Sequence, residues 1–119
     1  MHDHTKLRVW SEACDLTVSV YRLTELLPDS ERFELTRQMR RAAVSIASNI
    51  SEGASKGSNP EFRRFLRIAA GSSAELATQL HLVHRLGYAS EADVRPVDGA
   101  VQTVRRMLRR LIATLALDE

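Results

Sequence analysis

The segment that says most about how this chain folds runs Gln38-Met39-Arg40-Arg41-Ala42-Ala43-Val44-Ser45-Ile46-Ala47-Ser48-Asn49-Ile50-Ser51-Glu52-Gly53. Its apolar residues recur at helical spacing, and its remaining positions are small residues interrupted by a few polar and charged ones. Small side chains let a second helix approach closely, and any polar group buried by that approach needs a hydrogen-bond partner. The segment therefore predicts one continuous helix that packs tightly against a neighbouring helix.

Length and composition limit the organisation of the chain. Its 119 residues are enough for one domain, residues 1–119, which would bury roughly two-thirds of its unfolded surface. A hydrophobic content of 44% with three prolines and five glycines is typical of an ordered, mostly helical protein. No apolar run approaches the ~20 residues of a membrane span, and the N-terminus does not resemble a signal peptide. The single cysteine, Cys14, cannot form an internal disulfide, so we expect a cytoplasmic protein.

The first predicted helix covers about residues 6–27 and carries two neighbouring stripes at helical spacing, before Pro28 ends it. One stripe consists of Leu7, Trp10, Cys14, Thr17, Tyr21 and Thr24, and the more apolar one of Val9, Ala13, Leu16, Val20, Leu23 and Leu27. Two stripes are more than one face of a bundle normally needs. Either this helix is deeply buried in its own domain, or it also contacts another subunit.

The second helix is expected to start near Asp29 or Ser30, either of which can cap it, and to end at Gly53. The third helix is expected to use Asn59 as its N-cap, with a proline in the first helical position, and to stop at Gly87. Gly53 is predicted as the residue just past the end of its helix, a position where glycine is common.

The fourth helix opens with residues 90–93, Ser-Glu-Ala-Asp, which resemble a capping box. Pro96 leaves two alternatives open: it kinks the first turns, or the regular helix begins only there. Because the connections between helices are short, the fold class is predicted as all-α, an antiparallel up-down-up-down four-helix bundle. Alignment of the last two helices about their loop places apolar residues opposite each other, in the pairs Leu76 with Val101, Ala69 with Leu108, and Leu66 with Leu111.

A structural polar seam is predicted between the second and third helices, formed by Gln38, Arg41, Asn49, Glu52 and Glu75. Alignment about the intervening loop places Gln38 opposite Glu75, and Arg41 opposite Ser72 and within one turn of Glu75. If Arg41 and Glu75 form a partly buried ion pair, breaking it costs about 3–5 kcal/mol. Two interpretations remain open: a network that fixes the register of the two helices, and a cluster that contacts a ligand or a neighbouring subunit.

Arginine accounts for almost all of the basic residues, although the net charge is only +2. The arginines that could form a nucleic-acid interface are Arg37, Arg40, Arg63, Arg64, Arg67, Arg105, Arg106, Arg109 and Arg110. The guanidinium group suits phosphate, and a symmetric ring would repeat such patches as a belt. The alternative is that these arginines only face solvent. Because most aromatic residues fall on core stripes, we expect no base-stacking platform, and binding through backbone charge.

Catalytic and metal sites are not expected. His81 and His84 stand three residues apart, but helical di-metal sites need a Glu-x-x-His motif, and here Thr78 follows Glu75 at that spacing. Helical-bundle ribonucleases of the HEPN type place a histidine one to two turns after an arginine, and no arginine here has one. Cys14 lies on a core stripe as a small hydrophobic residue. We therefore expect no catalytic residue, no metal and no cofactor.

Several motifs carry a family resemblance: Leu7-x-Val9-Trp10, Val20-Tyr21, Leu26-Leu27-Pro28, Glu31 to Thr36, Gln38 to Gly53, Phe62-x-x-Phe65-Leu66-x-Ile68-Ala69-x-Gly71-Ser72, Glu75-Leu76, Leu86-Gly87-Tyr88 and Met107-Leu108. At these positions the chain resembles the ribosomal RNA intervening-sequence proteins, a four-helix-bundle family. Relatives of that family include the accessory variability proteins of diversity-generating retroelements. The likeness covers nearly the whole chain, and the long central motif is the specific part.

The resemblance implies a homo-oligomer, typically a five-membered barrel with a basic surface. In the retroelement relatives that surface engages a reverse transcriptase and nucleic acid, whereas many other members have no assigned role. We therefore expect a non-enzymatic homopentamer that offers arginines to nucleic acid or to a nucleoprotein partner, away from membranes. The alternative is a purely structural or protein-interaction assembly, and a nuclease-like toxin bundle is a more remote interpretation.

Overall fold

The computed structural model describes residues 2–118, and within that range every regular element is helical. The four long helices are α1 (Arg8–Thr24), α2 (Leu35–Ala54), α3 (Asn59–Arg85) and α4 (Glu91–Leu117), and two short 3₁₀ helices span His4–Lys6 and Asp29–Glu31. Each long helix packs on the next one, and α4 packs back on α1. None of these helices combines the length and the apolar character needed to cross a lipid bilayer, as far as residues 2–118 are concerned.

Contacts at both ends of the molecule show that neighbouring helices run in opposite directions. At one end, the Tyr88 hydroxyl in the α3–α4 connection donates a hydrogen bond to Glu31 in the α1–α2 connection, at 2.8 Å. At the other end, the Asn59 amide at the start of α3 donates to the carbonyl of Leu115 near the end of α4. The predicted all-α antiparallel four-helix bundle is confirmed.

One apolar stripe from each helix forms the core. Its largest fully buried side chains are Phe62, Leu16, Met39, Ile46, Ile50, Leu66, Leu76, Leu80, Leu108, Val20, Val83 and Val101. Full burial of one such side chain contributes about 1.5–3 kcal/mol. The residues that the α3–α4 alignment placed opposite each other are all buried except Leu111, which is half-buried against the same core.

The two stripes of α1 have different environments. The stripe from Val9 to Leu27 is buried throughout. The other stripe is half-buried at Leu7, Trp10 and Cys14 and exposed at Tyr21, and only its last residue, Thr24, is buried. Deep burial of both stripes within one chain is therefore excluded, and contact of α1 with another subunit stays a prediction.

The start of α2 differs from the prediction. Asp29–Glu31 forms a separate 3₁₀ helix, and α2 begins only at Leu35. The Glu31 carboxylate accepts hydrogen bonds from the Leu35 backbone N–H at 3.3 Å and from the Tyr88 hydroxyl at 2.8 Å. The bond to Glu31 raises the pKa of the Tyr88 phenol above its usual value. Glu31 thus caps α2 from outside the helix, in a contact between distant parts of the chain that local spacing does not reveal.

The two helix-ending glycines behave differently. Gly87 has a φ of 74°, and the Tyr88 N–H bonds the Val83 carbonyl beside it, so α3 ends at the predicted glycine, in a left-handed cap. Gly53 instead lies within α2, which continues to Ala54, and its φ is not positive. A Cβ atom at position 53 would lie 2.8 Å from Cβ of Phe65. The C-cap prediction is wrong there, because Gly53 serves the close approach of α2 and α3.

The N-cap of α3 is Ser58 rather than the predicted Asn59. The Ser58 hydroxyl accepts a hydrogen bond from the Glu61 backbone N–H at 3.3 Å, while Asn59 already belongs to the helix. In α4 the predicted Ser90 N-cap is confirmed, but the Asp93 carboxylate accepts from the Ser90 hydroxyl rather than from its backbone N–H as in a full capping box. The helix begins at Glu91 with Pro96 inside it. The alternative of a later start at Pro96 is therefore wrong.

Replacing Ser90 with alanine is expected to lower the free energy of unfolding by about 1 kcal/mol. The Ser90 hydroxyl accepts from the Asp93 N–H at 3.2 Å and donates to the Asp93 carboxylate at 3.0 Å, so alanine leaves both groups without this partner. Glycine at the same position should cost only a few tenths of a kcal/mol. Urea denaturation followed by circular dichroism measures both variants, and equal stability of Ser90→Ala and the wild type would contradict the assigned cap.

Candidate nucleic-acid interface

An open groove of about 740 Å³ lies between α1 and the first turns of α2. It is lined by Tyr21, Arg32, Phe33, Thr36, Arg37, Arg40, Arg41, Val44 and Ser45, and we call it the arginine groove. Four of these residues are arginines, two are aromatic, and none is acidic. Asp29 and Glu25 line a smaller adjoining groove behind Arg32 and Arg40. The arginine groove therefore presents positive charge and apolar surface together.

Arg40 is held in place by its neighbours on α1. Its Nε donates a hydrogen bond to the Thr24 hydroxyl at 2.9 Å, and its Nη2 donates to the Tyr21 carbonyl at 3.3 Å. Its guanidinium carbon lies 4.5 Å from the centre of the Tyr21 ring, within the range of a cation–π contact. The guanidinium is thus oriented before any ligand arrives, so little side-chain freedom remains to be lost on binding.

Arg37 and Arg41 are exposed, one turn apart on the outer side of α2. Within residues 2–118, no hydrogen bond or ion pair involves either side chain. Arg32 stands at the other end of the groove, with its guanidinium carbon 5.3 Å from the centre of the Phe33 ring. The groove therefore combines one oriented arginine with two arginines whose charges are free to pair with a ligand.

Two aromatic side chains of the groove are exposed, although the sequence pattern places most aromatic residues in the core. Phe62 and Phe65 are buried, but Phe33 is 70% exposed and Tyr21 is 41% exposed. Phe33 lies in the turn before α2, where helical periodicity does not apply, and Tyr21 lies on the outer stripe of α1. The argument against a base-stacking surface therefore fails for these two rings.

A second group of arginines lies along the seam between α3 and α4. His81 of α3 and Glu91 of α4 line one groove between these helices, so the side of α3 that carries His81 faces the side of α4 that carries Glu91. Arg63 precedes His81 by 18 residues, which is five turns of an α-helix, and Arg109 follows Glu91 by the same interval. Arg105 stands one turn before Arg109 on the same flank. These arginines therefore share one seam, at the end of the bundle away from the arginine groove.

The remaining predicted arginines lie elsewhere. Arg64 contacts Glu61 at 3.8 Å and stacks on Phe65 of its own helix. Arg67 is exposed on the outer side of α3, Arg106 donates to Thr103 at 3.2 Å, and Arg110 lines a shallow groove between α4 and α1. The nine predicted arginines thus occupy several flanks of one chain. Arg32 and Arg41, which the sequence did not assign to the interface, join Arg37 and Arg40 because they flank the same groove.

The residues that the α2–α3 alignment placed together line one groove, but Ser72 bonds Ser45, one turn beyond the predicted Arg41. A groove of about 360 Å³ is lined by Gln38, Arg41, Ala42, Ser45, Ser72 and Glu75. The hydrogen bond that crosses it joins the Ser45 and Ser72 hydroxyls at 2.9 Å. Asn49 donates to the Ser45 carbonyl and hydroxyl, and Glu52 is exposed.

Arg41 and Glu75 do not form an ion pair in the part of the chain that the structure describes. Both side chains are exposed, and Glu75 instead accepts a hydrogen bond from Gln79 at 3.1 Å. Water can solvate two exposed charges, so their pairing gains little. The contact across the seam is therefore made by small hydroxyl side chains.

A sequence model described as 23S rRNA-intervening sequence protein matches residues 5–110. The chain belongs to this family. A similar solved structure is a protein with unknown function from the S23 ribosomal protein family of Bacteroides thetaiotaomicron, with 23% sequence identity and a TM-score of 0.81. The similarity covers 87% of this chain and 97% of that one, and it shows a common fold. No curated protein is similar enough to count as a match.

The remaining reactive groups of this intervening-sequence family member are dispersed. Among residues 2–118, no group of three or more histidine, cysteine or acidic side chains could hold a metal ion. His81 and His84 are both exposed beside α4. Burial raises the pKa of the half-buried Cys14 thiol, and the neighbouring Asp15 carboxylate raises it further. The thiol therefore remains protonated near neutral pH.

Proposed function

We propose that this protein binds the phosphate backbone of nucleic acid through the arginine groove. The observation that carries the proposal is a groove lined by four arginines and no acid, in which Arg37 and Arg41 pair with no described residue. An exposed guanidinium without a partner loses no existing ion pair when it binds phosphate, and each phosphate neutralised releases counterions. The family description refers to 23S rRNA, which makes RNA the first ligand class to test.

The proposed role is binding without catalysis. The arginine groove holds guanidinium, hydroxyl, aromatic and aliphatic side chains, but no histidine or carboxylate. Guanidinium groups stay protonated at working pH, so they supply charge and hydrogen-bond donors rather than proton transfer. The single cysteine supports a reducing compartment, and we therefore place this role in the cytoplasm.

A homo-oligomer is part of the same proposal. The outer stripe of α1 leaves Leu7, Trp10 and Cys14 half-buried, and Val18 on the same helix is 49% exposed. Apolar surface of this kind is commonly covered by another subunit. A ring, with five copies as the resemblance implies, would repeat the arginine groove around its circumference and multiply the phosphate contacts. The mass in solution at micromolar concentration tests this, and a monomer would contradict it.

Neutralising the groove should weaken RNA binding about tenfold. The test compares Arg37→Ala/Arg41→Ala with a matched control, Arg8→Ala/Arg95→Ala, in which each lost arginine lies beside a glutamate of its own helix. Fluorescence anisotropy with labelled RNA and DNA over a salt series gives the affinities. We expect the dependence of log K on log salt to become shallower by about 1.4 for the groove variant, since each single-strand phosphate contributes about 0.7.

The control variant and a third variant distinguish binding at the arginine groove from a general effect of charge and from binding at the seam between α3 and α4. Arg8→Ala/Arg95→Ala should lose little affinity, although it changes the net charge by the same amount. Arg105→Ala/Arg109→Ala tests the seam between α3 and α4. If only that variant weakens binding, the arginine groove is not the site. Negligible binding by the wild type that does not change with salt would favour a purely structural assembly.

A further inference from the structure

We infer that the arginine groove takes single-stranded nucleic acid, with an unpaired base stacked on Phe33. This inference rests on the proposed function and adds the kind of strand that is bound. The inference starts from Phe33, whose side chain is 70% exposed. The turn that carries Phe33 is anchored, because Glu31 in the same turn accepts hydrogen bonds from the Leu35 backbone and from Tyr88. The ring is thus placed in solvent by a fixed backbone.

The groove alternates aromatic rings with guanidinium groups. Phe33 and Arg32 lie together on the turn before α2, and the Arg40 guanidinium of α2 lies over the Tyr21 ring of α1. Thr36 and Ser45 also line the groove. A positively charged track with aromatic side chains along it is the general design of surfaces that bind single strands, since bases stack on the rings and phosphates pair with the cations.

A double-stranded ligand could use only half of this surface. In a duplex the faces of the bases are already stacked on each other, so an exposed phenyl ring has no free base to contact. An unpaired nucleotide offers its base to Phe33 and its phosphate to Arg37 or Arg41. The groove volume of about 740 Å³ lies within the roughly 300–1,000 Å³ of typical ligand sites.

Charge argues against a second copy of this chain as the occupant of the groove. An isologous contact would bring the four groove arginines of one copy against the same four of its partner. Like charges facing each other disfavour such a contact, whereas a polyanion satisfies them. We therefore assign the groove to the nucleic acid, and we place any contact between subunits on the half-buried stripe of α1.

The test compares one RNA sequence as a single strand and as a duplex, using wild type, Phe33→Ala, Phe33→Trp and the control Ile68→Ala. Ile68 is a comparably apolar side chain, 43% exposed, outside the arginine groove. We expect Phe33→Ala to bind the single strand about tenfold more weakly, as the loss of one stacked base predicts. Its duplex binding and salt dependence should not change, Phe33→Trp should restore the affinity, and Ile68→Ala should resemble the wild type.

Three other outcomes are possible, and each would contradict a different part of the proposal. If the wild type binds neither strand, the proposed function fails as well. If binding depends on Arg37 and Arg41 but Phe33→Ala leaves single-strand affinity unchanged, or weakens both strands equally, the stacking inference alone is wrong. If Phe33→Ala lowers the mass in solution, a second copy covers the ring, and the assignment to nucleic acid is wrong.

Discussion

Phe62→Ala is expected to lower the free energy of unfolding by about 3–5 kcal/mol, the range for removing a fully buried phenylalanine. Phe62 has no exposed surface, and it lies where the end of α2 meets the start of α3. A Cβ atom on Gly53 would lie only 3.0 Å from the Phe62 ring, and the ring of His2 lies 5.0 Å away. Because the two helices are already in close contact here, the surroundings have little freedom to collapse into the space left by the ring.

Chemical denaturation followed at 222 nm measures this change, and Phe33→Ala is the matched control. Phe33 loses the same atoms, but at 70% exposure its removal should change stability by no more than about 0.5 kcal/mol. A native domain has only about 5–15 kcal/mol of stability, so Phe62→Leu provides a milder variant that should remain folded. Equal effects of the two alanine substitutions would contradict the assigned position of Phe62 in the core.

Much of this fold follows from sequence periodicity because the core takes one regular stripe from each helix. The stripe from Val9 to Leu27 is the more apolar of the two on α1, and it is the buried one. The loop length aligns α2 with α3 to within one turn, since Arg41 and Ser72 line one groove while Ser72 bonds Ser45. Local spacing and short connections carry this information because both depend only on residues close together in the chain.

Features that depend on distant residues could not be derived in the same way. The late start of α2 depends on Glu31, whose partner Tyr88 is 57 residues away. The candidate site is a similar case. Helical spacing grouped Arg37 with Arg40, but the packing of α1 on α2 and the turn before α2 decide that Arg32 and Phe33 join them. A residue in a turn has no periodicity to predict which way it faces.

Gly53→Ala is expected to lower the free energy of unfolding by about 1–2 kcal/mol, although alanine is the better helix former by about 1 kcal/mol. The added Cβ would lie 2.8 Å from Cβ of Phe65 and 3.2 Å from the backbone oxygen of Phe62. Neither atom belongs to the flexible end of a side chain, so α2 and α3 must move apart. Overpacking typically costs about 1–3 kcal/mol, and two contacts this short place the cost at about 2–3 kcal/mol, above the gain in helix propensity.

Gly71→Ala is the matched substitution and should have the opposite sign. Gly71 is exposed within α3, and no atom of another element lies within 4 Å of its Cβ position, so alanine should stabilise by about 0.5–1 kcal/mol. Thermal and urea denaturation of both variants measure the difference. If both substitutions stabilise the protein, α2 and α3 are not in the close contact that their small residues allow. If Gly53→Ala destabilises the protein and Gly71→Ala stabilises it, the difference comes from helix packing at Gly53, since both variants gain the same methyl group within a helix.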